Sequence, residues 1–92
     1  MSYILRFTKV ALADIEKHKK SGDKAVLKKI AKLLNEIKEN PSQGSGQIEL
    51  LKYGLAGKFF RRINHKHRLV YSIEEEIITV HVLSLWGHYG DK

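Results

Sequence analysis

Ninety-two residues suffice for one domain with a modest core, so a single unit spanning 1–92 is expected. A hydrophobic fraction of 42% beside a charged fraction of 29% is a globular balance and argues against disorder. Seventeen Lys and Arg against ten Asp and Glu leave a net charge of +7, which favours a polyanionic partner, while the lack of cysteine excludes disulfides and thiolate metal sites.

The opening MSYILRFTK has neither the basic region nor the long apolar run of a secretory signal. No segment reaches the ~20 apolar residues of a membrane span, so a soluble, cytoplasmic protein is expected. Residues 3–7, YILRF, are short and β-prone and predict a first strand. Thr8 is placed to cap a helix over residues 9–20, with Ala11, Leu12 and Ile15 at helical spacing. Lys17, His18, Lys19 and Lys20 put positive charge in its last turn, where the helix dipole favours it, and Ser21-Gly22 ends it.

Asp23 then caps a second helix. Val26, Leu27, Ile30, Leu33, Leu34 and Ile37 recur at the spacing of one buried face, and Asn40-Pro41 stops the run because the residue before a proline avoids the α region. So short a link predicts an antiparallel helical hairpin. PSQGSGQ at 41–47 is a loop by composition. IELLK (48–52) and the glycine-punctuated YGLAG (53–57) lead into β-like segments near 58–64, 68–74 and 77–84, separated by NHKH and EEE. Turns that short imply antiparallel neighbours. The expected class is α+β: an N-terminal strand, a two-helix hairpin, and a three- to four-stranded antiparallel meander. The hairpin would cover one sheet face and leave the other for a site.

Several chemistries are poorly supported. His65 and His67 lie two apart without a nearby carboxylate or third ligand, so no metal or other cofactor is expected. Ser42, Ser45, Ser72 and Ser84 lie in no nucleophile context, and GSG at 44–46 matches no phosphate-cradling loop. A basic surface with a few acids and histidines suits metal-free RNA cleavage. That reaction needs a base for the 2′-hydroxyl, an acid for the departing 5′-oxygen and fixed cations for the phosphate. Glu49, His88 and the Arg/Lys set could supply all three, although composition alone does not select them.

The ordered pattern E-L-L-K-x-x-L-x-G-x-x-x-R-R-I, then H-R-L-V-Y, then H-Y near the end, resembles the YoeB/Txe toxins of the RelE/ParE superfamily. It runs from Glu49 through Lys52, Leu55, Gly57, Arg61, Arg62 and Ile63, then from His67 to Tyr71, and closes on His88-Tyr89. The resemblance implies a RelE-like fold and a ribosome-dependent endoribonuclease acting on mRNA. It also implies a cognate YefM/Axe-like antitoxin and pairing of the toxin with itself. Carried over by position, Glu49 matches the proposed general base, His88 the general acid or phosphate-positioning histidine, and Arg68 the cation that stabilises the transition state. Lys52 matches a supporting cation and Tyr89 the terminal tyrosine of the site. Arg61 and Arg62 are expected among the RNA-phosphate contacts, but they alternate along a strand, so at most one should face RNA. Tyr71 reads as core, and His65 and Lys66 as an exposed turn. Trp86 is expected to pack on the body of the protein and anchor the tail, with stacking on a nucleotide base as the alternative, and His67 has no assigned role.

Two departures bear on the site. Gly90-Asp91-Lys92 follow the His-Tyr pair, where resembling chains commonly end at the tyrosine, and Trp86-Gly87 precede it. The alternatives are a ParE-like inhibitor of DNA gyrase, which would not need the base, acid and clamp together, and a non-catalytic basic RNA-binding module.

Overall fold

The computed structural model describes residues 2–41 and 58–87, together with the backbone of Ile48–Leu50. Strand β1 (Ile4–Phe7) leads into helices α1 (Lys9–Ser21) and α2 (Lys24–Glu39); strands β2 (Ile48–Leu50), β3 (Lys58–Arg62), β4 (Arg68–Glu74) and β5 (Thr79–Ser84) follow. The helices begin where the sequence says they should. The Thr8 hydroxyl accepts the Ala11 N–H at 3.0 Å and an Asp23 carboxylate oxygen accepts that of Val26 at 3.2 Å, each satisfying a donor that the first turn leaves orphaned. Gly22 ends α1 at φ +73°, a left-handed conformation that glycine adopts without a side-chain clash.

The sheet has five strands in the order β1-β5-β4-β3-β2. From β2 to β5 it is the expected antiparallel meander. The first strand adds something the sequence does not announce, because β1 pairs parallel to β5, with Leu5 opposite Val80 and Phe7 opposite Val82. The EEE turn is a short 3-10 helix, Glu75–Ile77. A register shift between Val70 and Tyr71 marks a bulge where β4 meets β5.

The core lies between the helices and one sheet face. Val26, Ile30, Leu33 and Ile37 of α2 pack with Leu69, Tyr71, Val80 and Val82 of the sheet and with Leu85 just beyond it. Each fully buried aliphatic side chain contributes roughly 1.5–3 kcal/mol. The α1 stripe differs from expectation. Its buried residues are Ala11, Asp14 and His18, whereas Leu12 is exposed. Two of the three are polar, so an apolar count misplaces that face. No helix among the described residues is long and apolar enough to cross a membrane.

Candidate functional site

Side chains alternate across a strand, so Arg68, Val70 and Ser72 of β4 point away from the helices while Leu69 and Tyr71 enter the core. The register carries this outward face across the sheet. Phe60 lies opposite Val70, Arg62 opposite Arg68 and Lys58 opposite Ser72. On the far side of β3, Glu49 is the register partner of Phe60, so Glu49, Phe60 and Val70 form one row over three strands.

Arg68 is held firmly on this face. One guanidinium nitrogen donates to the main-chain oxygens of Asn64, at 2.8 Å, and His67, at 3.2 Å. The guanidinium carbon sits 5.8 Å from the centroid of the Phe60 ring. The turn supplying those oxygens is itself tied: the Asn64 side-chain oxygen accepts the N–H groups of Lys66 and His67, both at 2.8 Å. A cation fixed in this way reorganises little when negative charge develops beside it. Arg62 is exposed directly opposite Arg68. Like charges facing each other across a sheet are mildly unfavourable, and an anion placed between them relieves the repulsion.

Arg61 requires a correction. Expected among the RNA-phosphate contacts, it is 0% exposed and points to the helix side. Its guanidinium donates to Glu36 at 3.3 Å, to the Asn40 carbonyl at 2.9 Å and to the Pro41 carbonyl at 3.4 Å, while its Nε donates to the Tyr71 hydroxyl at 3.2 Å. The Tyr71 hydroxyl donates in turn to the Pro41 carbonyl at 2.5 Å. Arg61 therefore binds the C-terminal end of α2 to the sheet and cannot reach a phosphate in this fold. Burial pushes the Tyr71 phenol above its usual pKa of 10.0, against the opposing pull of Arg61. The alternation expected for the pair holds, with Arg62 outward and Arg61 inward.

The chain leaving β5 is gripped over three residues. Leu85 N–H donates to Asp14 at 2.9 Å and the Leu85 carbonyl accepts from His18 at 2.8 Å. Gly87 N–H donates to His67 Nδ1 at 2.9 Å, and the Gly87 carbonyl accepts from Arg68 N–H at 3.0 Å. Trp86, 42% exposed, lays its ring against His18 and His67 with centroids 4.8 and 4.4 Å away, and Lys17 stands 5.4 Å over it. Trp86 thus packs on the body as expected. Asp14, His18 and His67 are residues to which the sequence pattern gives no part in the site. The available signal was Asp14 and His18 falling on the same helical stripe as Ala11.

Arg62 and Arg68 share the outward face. The Glu49 side chain, Lys52, His88 and Tyr89 lie outside the described residues, although Gly87 immediately precedes His88 in sequence. Among the described residues no group of three His, Cys, Asp or Glu is placed to hold a metal ion.

This fold is shared with known proteins. A family model described as a YoeB-like toxin of bacterial type II toxin-antitoxin systems matches residues 7–89. Toxin YoeB of Synechocystis sp. is 36% identical over 85 residues, covering 88% of this chain and 96% of its own. The YoeB dimer from Staphylococcus aureus superposes with a TM-score of 0.81 at 37% identity, over 97% of this chain and 100% of that one. The YoeB–YefM complex from the same organism gives 0.77 at 36% identity, over the same shares. A family match along nearly the whole length, with relatives above 30% identity over almost all of both chains, means that this chain belongs to the YoeB-like toxins of bacterial type II toxin–antitoxin systems.

Proposed function

We propose that the protein is a ribosome-dependent endoribonuclease that cuts mRNA in the bacterial cytoplasm by metal-free acid–base chemistry. A YefM/Axe-like antitoxin neutralises it, and the toxin pairs with itself when free. The observation that carries this reading is Arg68, braced by two carbonyls and an aromatic ring on the sheet face turned away from α1 and α2, opposite exposed Arg62 and two residues along β4 from Val70, which shares a row with Glu49.

In this mechanism Glu49 takes the proton of the 2′-hydroxyl, whose oxygen attacks the adjacent phosphorus. Arg68 meets the charge growing on the phosphate oxygens, with Lys52 and Arg62 holding the flanking backbone. His88 protonates the departing 5′-oxygen, and Tyr89 completes the phosphate contacts. An ordinary imidazole, with pKa about 6.5, is protonated in a substantial minority of molecules near neutrality and can serve as that acid. DNA lacks the 2′-hydroxyl and is not cut.

The test is induction of the protein in a bacterial host without antitoxin, with mRNA 5′ ends mapped genome-wide. Growth arrest with cuts inside translated codons is expected, and Arg68→Ala or His88→Ala should reduce cleavage by about 10²–10³-fold. Arrest that survives both substitutions, with intact mRNA and altered DNA topology, overturns the nuclease reading in favour of gyrase inhibition.

A further inference from the structure

We propose that His67 is a positioning residue that sets the main chain entering position 88 and couples it to Arg68. The proposal rests on the nuclease reading, in which His88 is the general acid.

Residues 67 and 68 grip both polar atoms of a single residue. The His67 ring accepts Gly87 N–H at 2.9 Å, and Arg68 N–H donates to the Gly87 carbonyl at 3.0 Å. Because Nδ1 is the acceptor, the neutral ring carries its hydrogen on Nε2. The ring itself is immobilised. His67 is 8% exposed, His18 meets it edge-on at 4.8 Å and Trp86 leans on it at 4.4 Å. His18 is anchored in turn by the Leu85 carbonyl, and Asp14 holds the Leu85 N–H, so α1 fixes the same tail from the other side. Gly87 turns the chain at φ +80°, where an L side chain is strained, although no atom of the described residues lies within 4 Å of where a Cβ would stand.

His67 also reaches the cation directly. Its carbonyl accepts from the Arg68 guanidinium and from the N–H groups of Ile63 and Asn64. One residue therefore fixes the transition-state cation with its main chain and the approach to the acid with its ring. A buried histidine that merely fills space would need neither contact. Acid and cation must act on the same phosphate, so their mutual placement matters more than the stability of either alone.

The experiment measures single-turnover mRNA cleavage on programmed ribosomes with the full chain, and the 15N–1H spectrum of the free protein. His67→Leu should retain a cooperative melt yet cleave about 100-fold more slowly at saturating ribosomes, with half-saturation unchanged. His67→Asn, which offers an acceptor oxygen near the Nδ1 position, should recover to within about 5-fold of wild type. Adding His67→Leu to His88→Ala should cost less than about 2-fold more, because the residue acted through is already gone. The Gly87 amide should shift and exchange faster in His67→Leu and not in His67→Asn. Should His67→Leu fail to fold, Gly87→Ala strains the same peptide through its positive φ, meets no atom of the described residues, and should slow cleavage about 10-fold. Folded His67→Leu or Gly87→Ala at the wild-type rate, or losses that multiply in the double variant, would overturn the proposal. An inactive wild-type chain instead sinks the nuclease reading and this proposal with it, whereas an active wild type with an equally active His67→Leu sinks this one alone.

Discussion

Arg61 has no exposed surface and Arg62, one residue on, is exposed. Strand parity alone divides them, and the division fixes what each can do. A buried guanidinium persists only with its donors used, and Arg61 uses them on Glu36, two carbonyls and the Tyr71 hydroxyl. Arg61→Ala should lower unfolding stability by about 3 kcal/mol in denaturant titrations, since it strands those acceptors. Arg61→Lys should recover little of this, because one ammonium cannot reproduce a planar fork of five donors. A surface role would predict almost no loss of stability. Tyr71 gives the same cluster a pH signature. Its folded pKa is raised above 10.0 by burial, while the unfolded phenol ionises at its ordinary value. Its contribution is therefore fully present below pH 10 and is lost as pH rises through the folded value. Tyr71→Phe, less stable than wild type by about 1–2 kcal/mol at neutral pH, should close that gap above pH 10. A gap that stays constant to pH 11 would contradict the assignment.

At the scale of elements, what was readable in the sequence tracks how local the determining physics is. The boundaries of α2 follow from Asp23, the stripe from Val26 to Ile37 and Asn40-Pro41, all decided within a turn or two of chain. In α1 the ends were equally plain, but its buried face was not. Asp14 and His18 are buried because the Leu85 peptide needs a partner for its N–H and its carbonyl, a requirement arising 67 to 71 residues away. Hydropathy alone cannot register such a need. The parallel pairing of β1 with β5 was hidden for a related reason: strand character is local, whereas the choice of edge depends on the finished sheet. Arg68 was legible because opposite parity to Leu69 and Tyr71 put it outside the core. His67 was not, since its partner is a main-chain N–H twenty residues on, which no side-chain pattern reports.

Among the described residues, much of the exposed positive charge lies on two surfaces. Exposed lysines run along the helical layer, at Lys9, Lys17, Lys19, Lys20, Lys24, Lys28, Lys32 and Lys38, while Arg62 and Arg68 lie on the other side of the sheet. Mobile ammonium groups on exposed helices add long-range attraction to a polyanion, whereas a braced guanidinium stabilises charge at one point. The two surfaces should therefore separate experimentally. Replacing Lys24, Lys28 and Lys32 together with Gln should weaken ribosome association at low salt. It should also flatten the slope of log affinity against log salt by about 0.7–0.9 for each phosphate no longer neutralised. The single-turnover cleavage rate at saturation should not change. Arg62→Gln should instead lower that rate, and it should flatten the slope by no more than the ~0.7–0.9 of a single phosphate contact, because it holds one stretch of backbone beside Arg68. A triple variant with an unchanged slope would show that Lys24, Lys28 and Lys32 are only a solvated surface, and the long-range attraction would then have to come from other cations.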